Sequence, residues 1–220
     1  MDVRRKLLLA LVIGGLGCDR EIPVTQVTTT VGYKVAGRIS DGLGNPLQGV
    51  KVKLYFTFDP VDGNAAPSTT FDVTNSVQVI RVTVNDRDNK VIRTLYNGVH
   101  STGSMRVDWN RKDASGNDVP SSVYTIQYII DNQVRKSYSV TVDKTITALS
   151  DSLGVYSIPD KFLPVGFYPV PLYNADSSKY YGQYQIGSEV GLEFITPVRT
   201  KSAYVSLTKG YVSQVDVIMN

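Results

Sequence analysis

The sequence predicts an all-β protein large enough for two small domains. Three observations lead there. No long stretch repeats apolar residues at i, i+3, i+4 and i+7, the spacing of an amphipathic helix. Short alternating runs broken by Gly, Asn, Asp and Pro dominate instead. The 220 residues are enough for one large domain or two small ones.

Composition narrows the function classes. Hydrophobic residues make up 42% and charged residues 20%, ordinary globular proportions. Of the formal net charge of +3, two charges come from Arg4, Arg5 and Lys6 against Asp2. The remainder is nearly neutral and has no basic patch in its composition. That argues against a nucleic-acid partner and against electrostatic adhesion to anionic lipid.

The chain opens MDVRRKLLLALVIGGLGC, a basic stretch followed by an apolar run over 7–17 and then Cys18. Eleven apolar residues are too few to span a bilayer, which takes about 20, but they suit the core of a signal peptide. Cys18 is the single cysteine, so no intrachain disulfide is possible. The pattern resembles a bacterial lipoprotein signal, although Gly15 stands where that signal usually has Leu. The resemblance makes 1–18 the signal peptide and Cys18 the lipidation site. It implies a lipid-anchored protein of the bacterial cell envelope, at the outer membrane or cell surface. A diacylglycerol plus an N-acyl chain anchors stably, since each buried methylene contributes about 0.8 kcal/mol. Residues 19–32, polar and Thr-rich, read as a flexible tether.

Two strands come next. Val35, Gly37 and Ile39 alternate with polar neighbours, and SDGLGNPLQG makes a connection dense in turn formers. Val50, Val52, Leu54, Phe56 and Phe58 then share one face opposite Lys51, Lys53, Tyr55 and Thr57, the mark of a sheet with one solvated side. Gly37, Asp41, Gly44, Pro46, Leu47, Gly49, Val50, Val52 and Leu54 resemble the opening of the carboxypeptidase regulatory-like (transthyretin-like) β-sandwich family. That family continues with a T-x-x-D-x-x-G-x-Y segment and then L-P-x-G-x-Y. Nothing of the kind follows Phe58.

A second β pattern starts near Ser76 instead. Ile80, Val82 and Val84 alternate, Asp86-Arg87-Asp88-Asn89 turns, and Val91, Ile92 and Leu95 continue. In the last run Val134, Lys136, Tyr138, Val140 and Val142 share a face. Asp86, Asn89, Val91, Arg93, Leu95, Gly103, Val107, Trp109, Asn110, Asp113, Gly116, Val119, Pro120 and Tyr124 resemble the Ig-like domain first described in the flagellar hook-cap scaffold protein. Ser122 stands where that family often has Gly.

The missing landmark of the first family then appears. Thr147, Asp151, Gly154, Tyr156 and Ile158 carry it, and Leu163-Pro164-Val165-Gly166-Phe167-Tyr168 follows. The outer sandwich is therefore read as 33–58 plus 146–220, with an Ig-like sandwich at 76–143 inserted between its strands. Two strands alone are marginal in water, so 33–58 need partners from elsewhere.

Candidate chemistry is sparse. His100 is the single histidine, in a polar loop, with no G-x-S-x-G elbow. Zinc would need several His or Cys ligands. The turn at Asp113, Ser115, Asn117 and Asp118 offers oxygen atoms to calcium but lacks the terminal Glu of an EF-hand loop. Plain turn closure is the competing explanation. Trp109 reads as core on an alternating strand, or as an exposed stacking platform. Tyr168, Tyr173, Tyr180, Tyr181 and Tyr184 crowd segment 167–184, either as a partner or glycan surface or as ordinary exposed sheet tyrosines. No catalytic residue, cofactor or metal site is predicted. The resulting expectation is a non-enzymatic envelope lipoprotein acting as a structural, adhesion or scaffold module for an unidentified protein or glycan partner. The alternative is a carbohydrate-binding accessory lipoprotein using 167–184.

Overall fold

The computed structural model describes residues 24–28, 31–61, 71–74, 78–173 and 180–220. The chain first makes β1 (Val24–Thr28), β2 (Lys34–Ser40) and β3 (Lys51–Val61). Its middle makes β4 (Phe71–Val73), β5 (Gln78–Asn85), β6 (Val91–His100), β7 (Gly103–Met105), β8 (Ser122–Ile130) and β9 (Gln133–Val142). The remainder makes β10 (Ile146–Leu149), β11 (Val155–Ile158), β12 (Gly166–Tyr173) and β13 (Tyr180–Ile195). Then come β14 (Thr200–Ser206), β15 (Tyr211–Val215) and β16 (Val217–Ile218). One 3-10 turn, Asp160–Phe162, follows β11, and there is no α-helix among the described residues.

Strands from both sides of the middle segment share sheets. One sheet runs β1-β15-β2-β11, with β16 also pairing β2. The other runs β10-β3-β13-β12, with β14 pairing β13. The middle segment keeps its pairing to itself, as β6-β5-β8-β9 and the short pair β4-β7.

Alternation explains the two cores. Val35 and Ile39, Val50 to Phe56 at every second position, Tyr156 and Ile158, Val190, Leu192 and Phe194, Val205, and Val215 and Val217 all point into one cluster. Their polar neighbours face out, as period two demands. Ile80, Val82, Val84, Tyr124, Ile126, Tyr128 and Tyr138 build the second cluster. Each fully buried Val, Leu, Ile or Phe contributes about 1.5–3 kcal/mol over leaving it in water.

Four local expectations change. Residues 24–28, read as tether, form edge strand β1 against β15, because Val-Thr-Gln-Val-Thr is rich in β-branched residues and meets an open strand. Phe71 and Val73, outside the predicted 76–143 unit, pack into the second core through the β4–β7 pair. Val134 is turned outwards: the β8–β9 register slips at Arg135, and one extra residue reverses the face. Trp109 lies on an irregular stretch and not on a strand, but its half-buried ring meets Tyr124 edge to face at 5.2 Å.

Candidate functional site

Sheet register gathers an aromatic slot that no local motif announces. Gly191 on β13 lies opposite Tyr55 on β3 and Tyr204 on β14. All three face out from the first core. Gly191 has no side chain, so it forms a floor between two tyrosines. A Cβ there would sit 3.4 Å from Tyr55 Cβ and 3.6 Å from Tyr204 Cε1. One row on, Lys53, Glu193 and Ser202 are aligned in the same way. The hollow measures about 290 Å³ and is open to solvent, with Tyr204 83% exposed at its edge.

Polar groups in the slot are fixed. Tyr55 Oη donates to Glu193 Oε2 at 2.7 Å, and Lys53 Nζ stands 3.8 Å from the same oxygen. Burial, and then the hydrogen bond and negative charge of Glu193, push the Tyr55 phenol up to about 12, so it remains a donor. Two tyrosine side chains, a carboxylate and a serine hydroxyl line the slot, groups that suit one small ring bearing hydroxyls.

The predicted tyrosines divide. Tyr168 is half-buried against the first core, and burial raises its pKa while the nearby Arg87 charge opposes this. It lies beside the seam around Arg87 and Asp160. Tyr184 lies opposite Tyr168, Tyr180 opposite Tyr173, and Tyr181 opposite Leu172 on the β12–β13 arm. The side chains of Tyr173, Tyr180, Tyr181 and Tyr184 lie outside the described residues, as does Cys18.

That seam joins the middle segment to the rest. Arg87 donates to the carbonyl oxygens of Asp160 and Leu163 and stands 3.7 Å from Asp160 Oδ2. Ser122 Oγ donates to Lys161 O at 2.7 Å. Val123, on the opposite face of β8 from the second core, is buried in the first. Lys144 N donates to Leu54 O at 3.2 Å, and Phe56 N to Asp143 Oδ1 at 3.3 Å.

The acidic turns are occupied by backbone. Asp113 Oδ1 accepts from the N–H groups of Ser115 and Asn117, and the Asp118 carboxylate takes Lys112 Nζ at 2.8 Å. Asp41 does the same with Leu43 and Asn45. Hydrogen bonds from Asn45 and Asn117 hold these two carboxyls below their ordinary range. Among the described residues no group of three or more His, Cys, Asp or Glu gathers to hold a metal ion. His100 ends β6, with Nδ1 2.6 Å from Ser101 O and its ring near Tyr96.

Comparison with curated proteins and with solved structures returns no match. A family model does match part of the chain. Residues 57–129 fit the FlgD Ig-like domain, so this part of the chain is an Ig-like domain resembling that one.

Proposed function

We propose that the protein is a non-enzymatic, lipid-anchored cell-envelope protein in which one β-sandwich, 33–58 plus 146–220, carries an inserted Ig-like module as a structural, adhesion or scaffold unit. The seam carries this reading. A module tethered by one linker would swing, whereas this one is held by two chain crossings, the Arg87 clamp and the buried Val123. An Ig-like module of this type is compatible with a structural or scaffold role and is typically non-catalytic.

The anchor rests on the signal-like segment ending at Cys18. Intact-mass analysis of the membrane fraction tests it. A chain starting at a cysteine that carries three acyl chains is expected; one starting at unmodified Asp19, or keeping Met1, refutes it. The non-enzymatic reading fails if the protein turns over members of a broad ester, peptide and glycoside panel.

A second reading, glycan binding, is favoured by the slot at Tyr55, Gly191 and Tyr204. On a glycan array Tyr204→Ala and Gly191→Ala test the slot, while Tyr180→Ala and Tyr181→Ala test the 167–184 arm. Gly191→Ala is expected to abolish slot binding without unfolding, since its Cβ meets only ordinary contacts. No binding by the parent protein removes the reading.

A further inference from the structure

One end of the first sandwich presents three tight turns whose tips are apolar. β2 leaves at Ser40 into the turn 41–45. β11 enters from the turn 151–155, with Val155 opposite Arg38 near that same end of β2. β13 finishes at Ile195, opposite Lys51 and Thr200, and reverses through 196–199. Ile39 N donates to Gly154 O, and Gly49 N to Ser150 O, so the first two turns brace each other. Their tips are Leu43, 89% exposed, and Leu153, 66% exposed, and the third carries Val198, 85% exposed. Leu149 and Ile218 lie exposed on the flanks.

These turns are well ordered by their own hydrogen bonds. Asp151 Oδ1 accepts from Leu153 N and Val155 N, both at 2.9 Å. Thr196 N donates to Arg199 O at 2.8 Å. Turn closure needs the aspartates and glycines, not a leucine at the exposed third position. At this end three turn tips hold large apolar side chains in water, the kind of exposure that an apolar contact surface uses.

Strand β1 starts towards this end. β15 runs parallel to β2, and β1 runs antiparallel to β15 with Val24 opposite Val215. β1 therefore begins, at Val24, on the Ser40 side of its sheet. Six peptide steps separate Cys18 from Val24, and six residues reach at most about 20 Å. β3 starts at this end and runs away from it, so the middle segment is attached at the far side.

We propose that this end docks on a lipid bilayer, with Leu43, Leu153 and Val198 entering the boundary between headgroups and acyl chains. The proposal rests on the lipid anchor at Cys18, which would hold the end within reach of the membrane. Hydrocarbon contact, not net charge, carries it. Asp41 and Asp151 spend their carboxylates on turn N–H groups, and Arg38, Lys51 and Arg199 are exposed around the tips, where long basic stems suit headgroup level. Docked this way, the FlgD-like part is presented away from the membrane.

The experiment uses the full chain purified from its own membranes, with its mass read first. Once Cys18 is acylated, a cysteine introduced elsewhere is the single free thiol. Leu43→Cys and Leu153→Cys, each carrying an environment-sensitive fluorophore, are reconstituted in phosphatidylcholine vesicles. Val31→Cys, at the opposite end of the sandwich, and Val99→Cys, on β6, are the controls. A blue shift at positions 43 and 153, lost on adding acyl-chain nitroxide lipid and absent from both controls, supports the proposal. Water-like emission at 43 and 153 in an acylated protein overturns it and leaves the anchor standing. A blue shift that lipid quenchers do not touch means that protein covers the turns, which also overturns it. An unmodified Cys18 refutes the anchor and the docking together.

Discussion

Asp143 sits where β9 ends and the chain turns back towards β10. Its Oδ1 accepts from Phe56 N at 3.3 Å and Lys144 N at 2.8 Å, pinning one crossing between the middle segment and β3. Burial raises its pKa, and those two hydrogen bonds and the Lys144 charge only partly oppose the rise. The folded chain therefore keeps this proton to a higher pH than the unfolded chain. The stability due to Asp143 is full below the unfolded value near 3.8 and declines as pH rises through the window up to the raised folded value. Asn at this position keeps the accepting oxygen and has no charge to bury. Asp143→Asn is expected to remove that decline and to be at least as stable as the parent at neutral pH. Urea midpoints of both proteins from about pH 3 to about pH 8 measure it. A parent that gains stability over the variant across the same window would contradict the assignment.

At the level of elements, one five-residue turn recurs at Asp41, Asp86, Asp113 and Asp151. In each, the aspartate Oδ1 accepts two backbone N–H groups, from the third and fifth residues. The fourth residue is left-handed: Gly44, Asn89, Gly116 and Gly154 have φ of 86°, 60°, 85° and 74°. Glycine and asparagine tolerate that region best. The repeat explains why acidic residues sit at the first position of these turns. Asp151→Ala removes two accepted bonds and is expected to lower stability by about 1–2 kcal/mol. Gly154→Ala is expected to lower it further, because a Cβ there would sit 2.3 Å from Ile39 O in addition to the positive φ. Thermal unfolding of the two variants checks the order, and Asp151→Ala being the worse would refute this account of the turn.

At the scale of the whole molecule, the seam decides whether the Ig-like part is oriented or loose. Arg87 reaches two carbonyls around the 3-10 turn, and Ser122 reaches a third. Arg87→Met keeps the apolar stem and removes the donors. It is expected to cost about 1–3 kcal/mol of local stability at the seam while both cores stay folded. Amide hydrogen exchange at Phe162 and Leu163 should then accelerate, with protection in β5 and β8 unchanged. Equal exchange in parent and variant would show that the clamp does not hold the seam.

Period-two patterning made the all-β class legible, because which face of a strand is buried is written in its own residues. The Ig-like resemblance was legible too, since its turns, its Trp and its Val-Pro step lie close along the chain. Residues 24–28 look like tether in the sequence because a short Thr-rich strand and a polar linker have the same composition until a pairing partner is known. The face of Val134 is not legible in the sequence, because the bulge at Arg135 depends on the fit to β8. The slot was invisible in the sequence. Alternation places Tyr55 and Tyr204 on outer faces, but only hydrogen-bond register across β3, β13 and β14 sets them on either side of Gly191. The sequence by itself thus determined the class, the faces and the turn chemistry, all of which are local properties of the chain. Only the tertiary structure decided the neighbours, bringing distant strands into one slot, one seam and one apolar end, because register between strands far apart in sequence is set by joint packing of both cores.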